Sequence, residues 1–145
     1  SIARTLIMKP KFVVCDEPTS MLDVSIRISI MDLMLNLAKD LEVSYLYITH
    51  DLAVARYMCN RIAVMFNGKI VEIAETEELL KNPIHPYTKR LISSIPVPDP
   101  TYERVVYDID YTELDNIIST DTKNIGMVDI GNEHFVATHD VKGIL

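Results

Sequence analysis

The stretch Phe12-Val13-Val14-Cys15-Asp16-Glu17-Pro18-Thr19-Ser20-Met21-Leu22-Asp23 decides how the rest of the chain is read. Its opening apolar residues, two of them valine, predict a short buried strand of a parallel sheet. The strand stops on adjacent carboxylates, Asp16 and Glu17, and so delivers two negative charges to the carboxyl edge of the sheet. That edge is where open α/β folds bind their ligands. Neighbouring negative charges cost free energy unless a cation or a proton relieves them. A magnesium ion carrying a nucleotide phosphate would do so, leaving the second carboxylate to act as a base. The plainer alternative is a strand followed by a helix whose first turns happen to be acidic. The Pro18-Thr19-Ser20-x-x-Asp23 continuation is too particular for that.

Upstream, Ser1 to Met8 predicts the end of a helix, closed by Lys9-Pro10-Lys11, with cations where the macrodipole favours them. Downstream, Asp23 is a plausible N-cap for a helix from Val24 to Leu41. Ile30, Met34, Leu37 and Leu41 recur at helical spacing and form a stripe for packing on a sheet, a core feature and not a cofactor box. Val43 to Thr49 is the next apolar strand, ending on Thr49-His50-Asp51. Asp51 can cap a short helix from Leu52 to Cys59, which leaves His50 at the tip of the strand. A lone histidine is usually a satisfied surface or core residue. At the tip of a parallel strand, beside one tipped by Asp-Glu, it is placed for phosphate chemistry.

Arg61 to Phe66 and Lys69 to Ala74 flank Asn67-Gly68, a hairpin signal, and predict an antiparallel pair at the edge of the sheet. Thr76 is expected to cap a short helix with Glu77 and Glu78 in its first turn. Residues 82–100 hold five of the seven prolines (Pro83, Pro86, Pro96, Pro98 and Pro100) and mark a boundary or a clasp. Within them Pro86 suits the first turn of a helix whose apolar side is Leu91, Ile92 and Ile95. Val105 to Ile109, Ile125 to Ile130 and His134 to Ala137 can be strands. The second Thr-His-Asp, at Thr138 to Asp140, has no Asp-Glu beside it and reads as chance.

The 145 residues, 48% hydrophobic and 24% charged, suit one globular domain or one with an appendage. Their longest unbroken apolar run, Ile62 to Phe66, is far short of a membrane span. No secretory leader is visible at Ser1, and the absence of a methionine there suggests a fragment or a processed piece. Cys15 and Cys59 stand outside any metal-ligand spacing and are expected as buried thiols of a reduced protein. Residues 1–98 carry 11 acidic and 11 basic residues while 99–145 carry 10 and 3, so the net charge of −7 lies wholly in the tail. An acidic tail argues against nucleic acid as a partner there.

Strand-Asp16-Glu17, Ser20-Met21-Leu22-Asp23 and Thr49-His50, in that order, resemble the C-terminal part of an ABC-transporter ATPase subunit. Phe12 to Asp16 resembles the Walker B strand, and Glu17 stands where that family has its catalytic glutamate. Ser20 to Asp23 resembles the D-loop, with Met21 where alanine is commoner, and His50 matches the switch histidine. Ile2-Ala3-Arg4 resembles the helix that runs on from the signature motif. Asn82-Pro83-x-His85-Pro86-Tyr87-Thr88, with the apolar helix and Pro96 after it, is similar to the C-terminal extension of the oligopeptide and dipeptide importer ATPases. Gly131 to Ala137 resembles the strand that closes that extension. The likeness is weakest between Pro100 and Met127.

The resemblance implies the C-terminal half of a P-loop NTPase core of ABC type. That core would have a mostly parallel sheet, an edge hairpin and a small α+β extension. It divides the chain into 1–82, with Walker B, D-loop and switch histidine, and 83–145, the extension. It implies ATP and Mg²⁺ as cofactors of the parent subunit, with Asp16 holding Mg²⁺ through water, Glu17 as general base and His50 at the γ-phosphate. Ser20 and Asp23 would bind the cofactor along with Asp16, on the D-loop that crosses to a second ATPase subunit. The other implied partners are transmembrane permease subunits and, indirectly, an external peptide-binding protein. The place would be cytoplasmic, peripheral on the inner face of the membrane. Some members carry extra cysteines in the extension; none follows Cys59 here, so neither an iron–sulfur cluster nor zinc is expected. The sequence holds no Gly-x-x-x-x-Gly-Lys-Ser/Thr phosphate loop and no signature motif, so these 145 residues alone are expected to be inactive. A non-transport ABC ATPase and a non-catalytic assembly module are the alternatives.

Overall fold

A computed structural model describes residues 8–95 and 126–137. The expected strand at 105–109, the second Thr-His-Asp and, apart from Met8, the expected first helix lie outside those residues. The chain divides into two compact units, Ser1–Met58 and Cys59–Leu145.

In the first unit β1 (Phe12–Asp16) pairs in parallel with β2 (Ser44–Ile48), with Phe12 opposite Ser44 and Asp16 opposite Ile48. Parallel neighbours need a long crossover. Here α1 (Val24–Asp40) supplies it, and α2 (Leu52–Met58) comes after β2. Cys15, Met31, Met34, Val43, Val54 and Ala55 are the buried apolar residues of this unit.

Three expectations for this unit need correction. Asp23 occupies the N-cap position of α1 but its side chain makes no cap bond; only its carbonyl serves the helix, accepting from the Arg27 N–H at 2.8 Å. Leu41 lies beyond the apolar stripe, because the helix stops at Asp40 and leaves Leu41 as an exposed C-cap. Glu42 takes a left-handed φ of 52° and the Val43 N–H reaches the Ala38 carbonyl at 3.0 Å, a Schellman ending. Finally, β1 is buried on one face only. Cys15 is buried and Val13, Tyr45 and Tyr47 are half-buried, whereas Phe12 and Val14 are more than half exposed, with Leu46 and Ile48 close behind. Among the described residues β1 has only β2 as a strand neighbour, and one side of the pair lacks cover.

The second unit is built on a four-stranded sheet in the order β3-β4-β6-β5, antiparallel throughout. Its strands are β3 (Arg61–Phe66), β4 (Lys69–Glu75), β5 (Met127–Asp129) and β6 (Phe135–Ala137). The expected mostly parallel sheet is thus confined, among the described residues, to the β1–β2 pair. Asn67 (φ 47°) and Gly68 (φ 74°) form a two-residue turn, and so tight a connection can only return the chain antiparallel. The hairpin does lie at an edge, with β3 outermost and β4 flanked by β6, but the sheet it edges is this antiparallel one.

Helix α3 (Thr76–Lys81) begins one residue earlier than expected, because Glu75, not Thr76, is the cap and accepts the Glu78 N–H at 3.0 Å. Thr76 instead donates its hydroxyl to the Cys59 carbonyl at 2.6 Å. Glu77 and Glu78 do lie in the first turn. Pro86 opens α4 (Pro86–Ser93), and His85 caps it by accepting the Tyr87 N–H on Nδ1 at 3.1 Å. The Tyr87 ring packs on Phe66 with centroids 4.3 Å apart.

Burial pushes the thiols of Cys15 and Cys59 above their ordinary range. A raised native pKa contributes stability that is fully present below the unfolded thiol value and is lost as pH rises through the native value. The denaturation midpoint should therefore hold through neutral pH and fall above about pH 8.5, and the fall should be smaller in Cys15→Ala. Truncating the fully buried Met34 to alanine should cost about 2–5 kcal/mol in urea unfolding, against a small change for the half-exposed Leu33→Ala.

Candidate functional site

The parallel register sends both strands of the first unit out at the same end, so the residue after Asp16 lies beside the residues after Ile48. The Glu17 N–H extends the ladder by donating to the Ile48 carbonyl at 3.0 Å. Glu17 then turns through a left-handed φ of 41°, unusual for a residue with a long side chain. Strained backbone of this kind collects at functional sites. With the chain so turned, the Glu17 carboxylate Oε1 meets His50 Nδ1 at 2.6 Å. Both side chains are solvent-accessible, Glu17 at 42% and His50 at 78%, so the pair is available to a ligand.

The loop after Glu17 is pinned from several sides. Ser20 donates its hydroxyl to the Glu17 carbonyl at 2.9 Å, and the Leu22 N–H reaches the Thr19 carbonyl at 3.2 Å. Thr19, 3% exposed, shares a hydrogen bond of 2.9 Å with the Tyr47 hydroxyl of β2. On the other side of the site Thr49 accepts the Asp51 N–H at 3.0 Å. Asp51 caps α2, as expected, by accepting from Ala53 and Val54. Arg27 on α1 lies between the two loops, 3.4 Å from the Leu22 carbonyl and 3.8 Å from Asp51 Oδ2.

Glu17, Thr19, Ser20, Arg27, Tyr47, Thr49, His50, Asp51 and Val54 surround a hollow of about 70 Å³. Of the residues singled out from sequence, Glu17, Ser20 and His50 line it. Asp16 ends β1 on the exposed side of the strand, and Asp23 sits at the start of α1, so neither is part of the lining. Tyr47, Asp51 and Arg27 join the lining without having been expected there. Arg27 carried a usable signal, as the single charged residue between Val24 and Met31 of α1. Tyr47 carried none, because an aromatic residue in a strand is ordinarily core. Among the described residues no group of three or more His, Cys, Asp or Glu side chains is gathered as a metal site. No described helix is long and apolar enough to cross a membrane.

Residues 71–116 match the family model of the oligopeptide/dipeptide transporter C-terminal region. Over 135 residues, 93% of the chain, it is 48% identical to the oligopeptide transport ATP-binding protein AmiF of Streptococcus pneumoniae. Over 71% of its length it is 52% identical to the oligopeptide transport ATP-binding protein OppF of Bacillus subtilis, and over 74% it is 51% identical to the dipeptide transport ATP-binding protein DppF of Lactococcus lactis. The matched stretches make up 43%, 34% and 36% of those relatives, so the chain spans less than half the length of each. A mixed α/β fold with a carboxylate and a histidine at the ends of two parallel strands is consistent with the C-terminal region of an ABC ATPase. The chain is therefore similar along most of its length to ATP-binding proteins of oligopeptide and dipeptide transport, and its residues 71–116 match the C-terminal region of the oligopeptide/dipeptide transporter family.

Proposed function

We propose that this chain is the C-terminal part of an ATP-hydrolysing subunit that powers import of oligopeptides or dipeptides. The observation that carries the proposal is the Glu17–His50 contact at the carboxyl ends of β1 and β2, within a chain whose relatives are named as peptide-transport ATP-binding proteins. In the parent subunit Glu17 is the general base for the attacking water, held by His50 on one side and by the β2 ladder on the other. His50, with one ring nitrogen on Glu17 and most of its surface open, has its other edge available to a γ-phosphate. Phosphoryl transfer rests on positioning and charge neutralisation, which is what such a pair can offer.

Asp16 suits the magnesium assignment in one respect. Magnesium keeps several of its waters and takes few protein ligands, and Asp16 is a solvent-exposed carboxylate at the tip of a strand. Bound there, the ion would neutralise charge on the transferring phosphate. Ser20 and Asp23 lie on the loop after Glu17 and face a second ATPase subunit in this proposal. Permease subunits and an external peptide-binding protein complete the assembly, which places the subunit on the cytoplasmic side of the membrane. The motif division at residues 82 and 83 separates nucleotide-domain sequence from extension sequence and falls inside the second compact unit. The relatives' printed names favour transport over a non-transport ABC ATPase.

The sequence contains no phosphate loop, so this chain by itself should not turn over ATP. In a protein that also carries the remaining length of the relatives, Glu17→Gln should leave nucleotide binding intact and lower turnover by about 10²- to 10⁴-fold. Hydrolysis by that variant at the parental rate would remove Glu17 from the mechanism. Robust ATPase activity from the 145 residues alone would overturn the half-site account.

A further inference from the structure

Glu72 is fully buried in the second unit, an expensive place for a carboxylate unless it is fully partnered. Regular pairing with β3 puts it there, opposite the buried Val64 and on one face with the buried Ala74. Just before it the register shifts, with Met65 facing Ile70, so β4 carries Val71 as an extra residue that also turns inward. The carboxylate accepts three N–H groups. Oε1 takes the Ile84 amide at 2.8 Å and His134 Nε2 at 2.7 Å, and Oε2 takes the His85 amide at 3.1 Å. One side chain therefore joins β4, the turn that opens α4 and the residue preceding β6. His134 is itself 2% exposed, with Glu78 Oε1 3.9 Å from its other ring nitrogen.

Strands β5 and β6 have three residues each, and β6 meets β4 at only two positions, Val136 with Glu72 and Phe135 with Ile73. Strands so short do not hold themselves in place. The Arg61–Glu133 ion pair beside them is exposed and contributes little. Among the described residues the segment is held mainly by the buried Val136 and Ala137 and by the His134–Glu72 contact, with the exposed Arg61 also donating to the Glu133 carbonyl at 3.3 Å. We propose that residues 126–137 form a detachable strap, and that Glu72 couples its release to the turn at Ile84–His85 while the β3–β4 hairpin stays folded. The coupling arises from charge. Withdrawing His134 alone would leave a fully buried carboxylate short of one of its three donors, so the pocket opens to water and the Ile84 and His85 amides are freed in the same event.

Native-state hydrogen exchange of the 145-residue chain, followed by NMR, tests this. The Ile84, His85 and β6 amides should exchange with one common protection, lower than that of the β3–β4 ladder. In His134→Ala both groups should speed up by roughly 10- to 100-fold, the loss of a charge-assisted hydrogen bond, with the ladder unchanged. His134→Gln, which keeps an N–H donor, should recover part of that protection, and Arg61→Ala should move it little. Equal protection in all three places would overturn the proposal, as would unchanged Ile84 and His85 amides in His134→Ala. A His134→Ala chain that fails to fold would overturn it too, since the hairpin would then depend on the strap.

Discussion

The parallel ladder between β1 and β2 is the constraint on which the candidate site depends. Only when two strands run the same way do the residues after both of them emerge at one edge. The register, Asp16 opposite Ile48, then fixes which residues meet. A slip of one residue would exchange the inward Cys15 for an outward neighbour and carry Glu17 away from His50. The Glu17 N–H bond to the Ile48 carbonyl is the last rung, and it holds the backbone at the point where the left-handed turn begins.

The site is polar and tightly cross-linked on its protein side, open on its ligand side. Thr19 to Tyr47, Ser20 to Glu17 and Asp51 to the start of α2 are hydrogen bonds made within the protein. Such supports keep reacting groups in place without adding new charge, which is how preorganised electrostatic sites work. Arg27 is the exception. Its guanidinium spans the two loops at long distances and its buried Nε–H has no partner, so it is the least settled group of the set.

The second unit is organised differently. Its sheet is antiparallel and closed by tight turns, and its centre holds a carboxylate where an apolar residue would be expected. Alternation along Lys69–Glu75 does not announce this, because Ile70, Glu72 and Ala74 would share one face of a regular strand and Ile70 is in fact turned outward. The bulge re-aims Ile70 and Val71 while Glu72 keeps the inward face it shares with Ala74, and the motif residues Ile84, His85 and His134 converge on Glu72 from segments about 50 residues apart in the chain. The Asn-Pro-x-His-Pro and Gly-x-x-His-Phe-Val-Ala patterns are accounted for in this way as two halves of one buried polar contact.

The features that the sequence determined by itself were those governed by local chemistry. Apolar β-branched runs gave β1 to β4, Asn67-Gly68 gave the hairpin, Asp51 gave a cap, and Asp16-Glu17 with His50 marked the two strand ends where the site lies. Tertiary structure decided the rest, because the energies involved arise between distant residues. Asp23 resembles a cap but has no cap bond, and Thr76 resembles one while Glu75 competes successfully for the Glu78 N–H. The burial of one face of β1 and the exposure of the other depend on what covers each side, which no local pattern encodes. The splitting of Asp16 from Glu17 depends on a left-handed residue at the strand end, and the inward turn of Val71 beside Glu72 depends on a register shift between two strands.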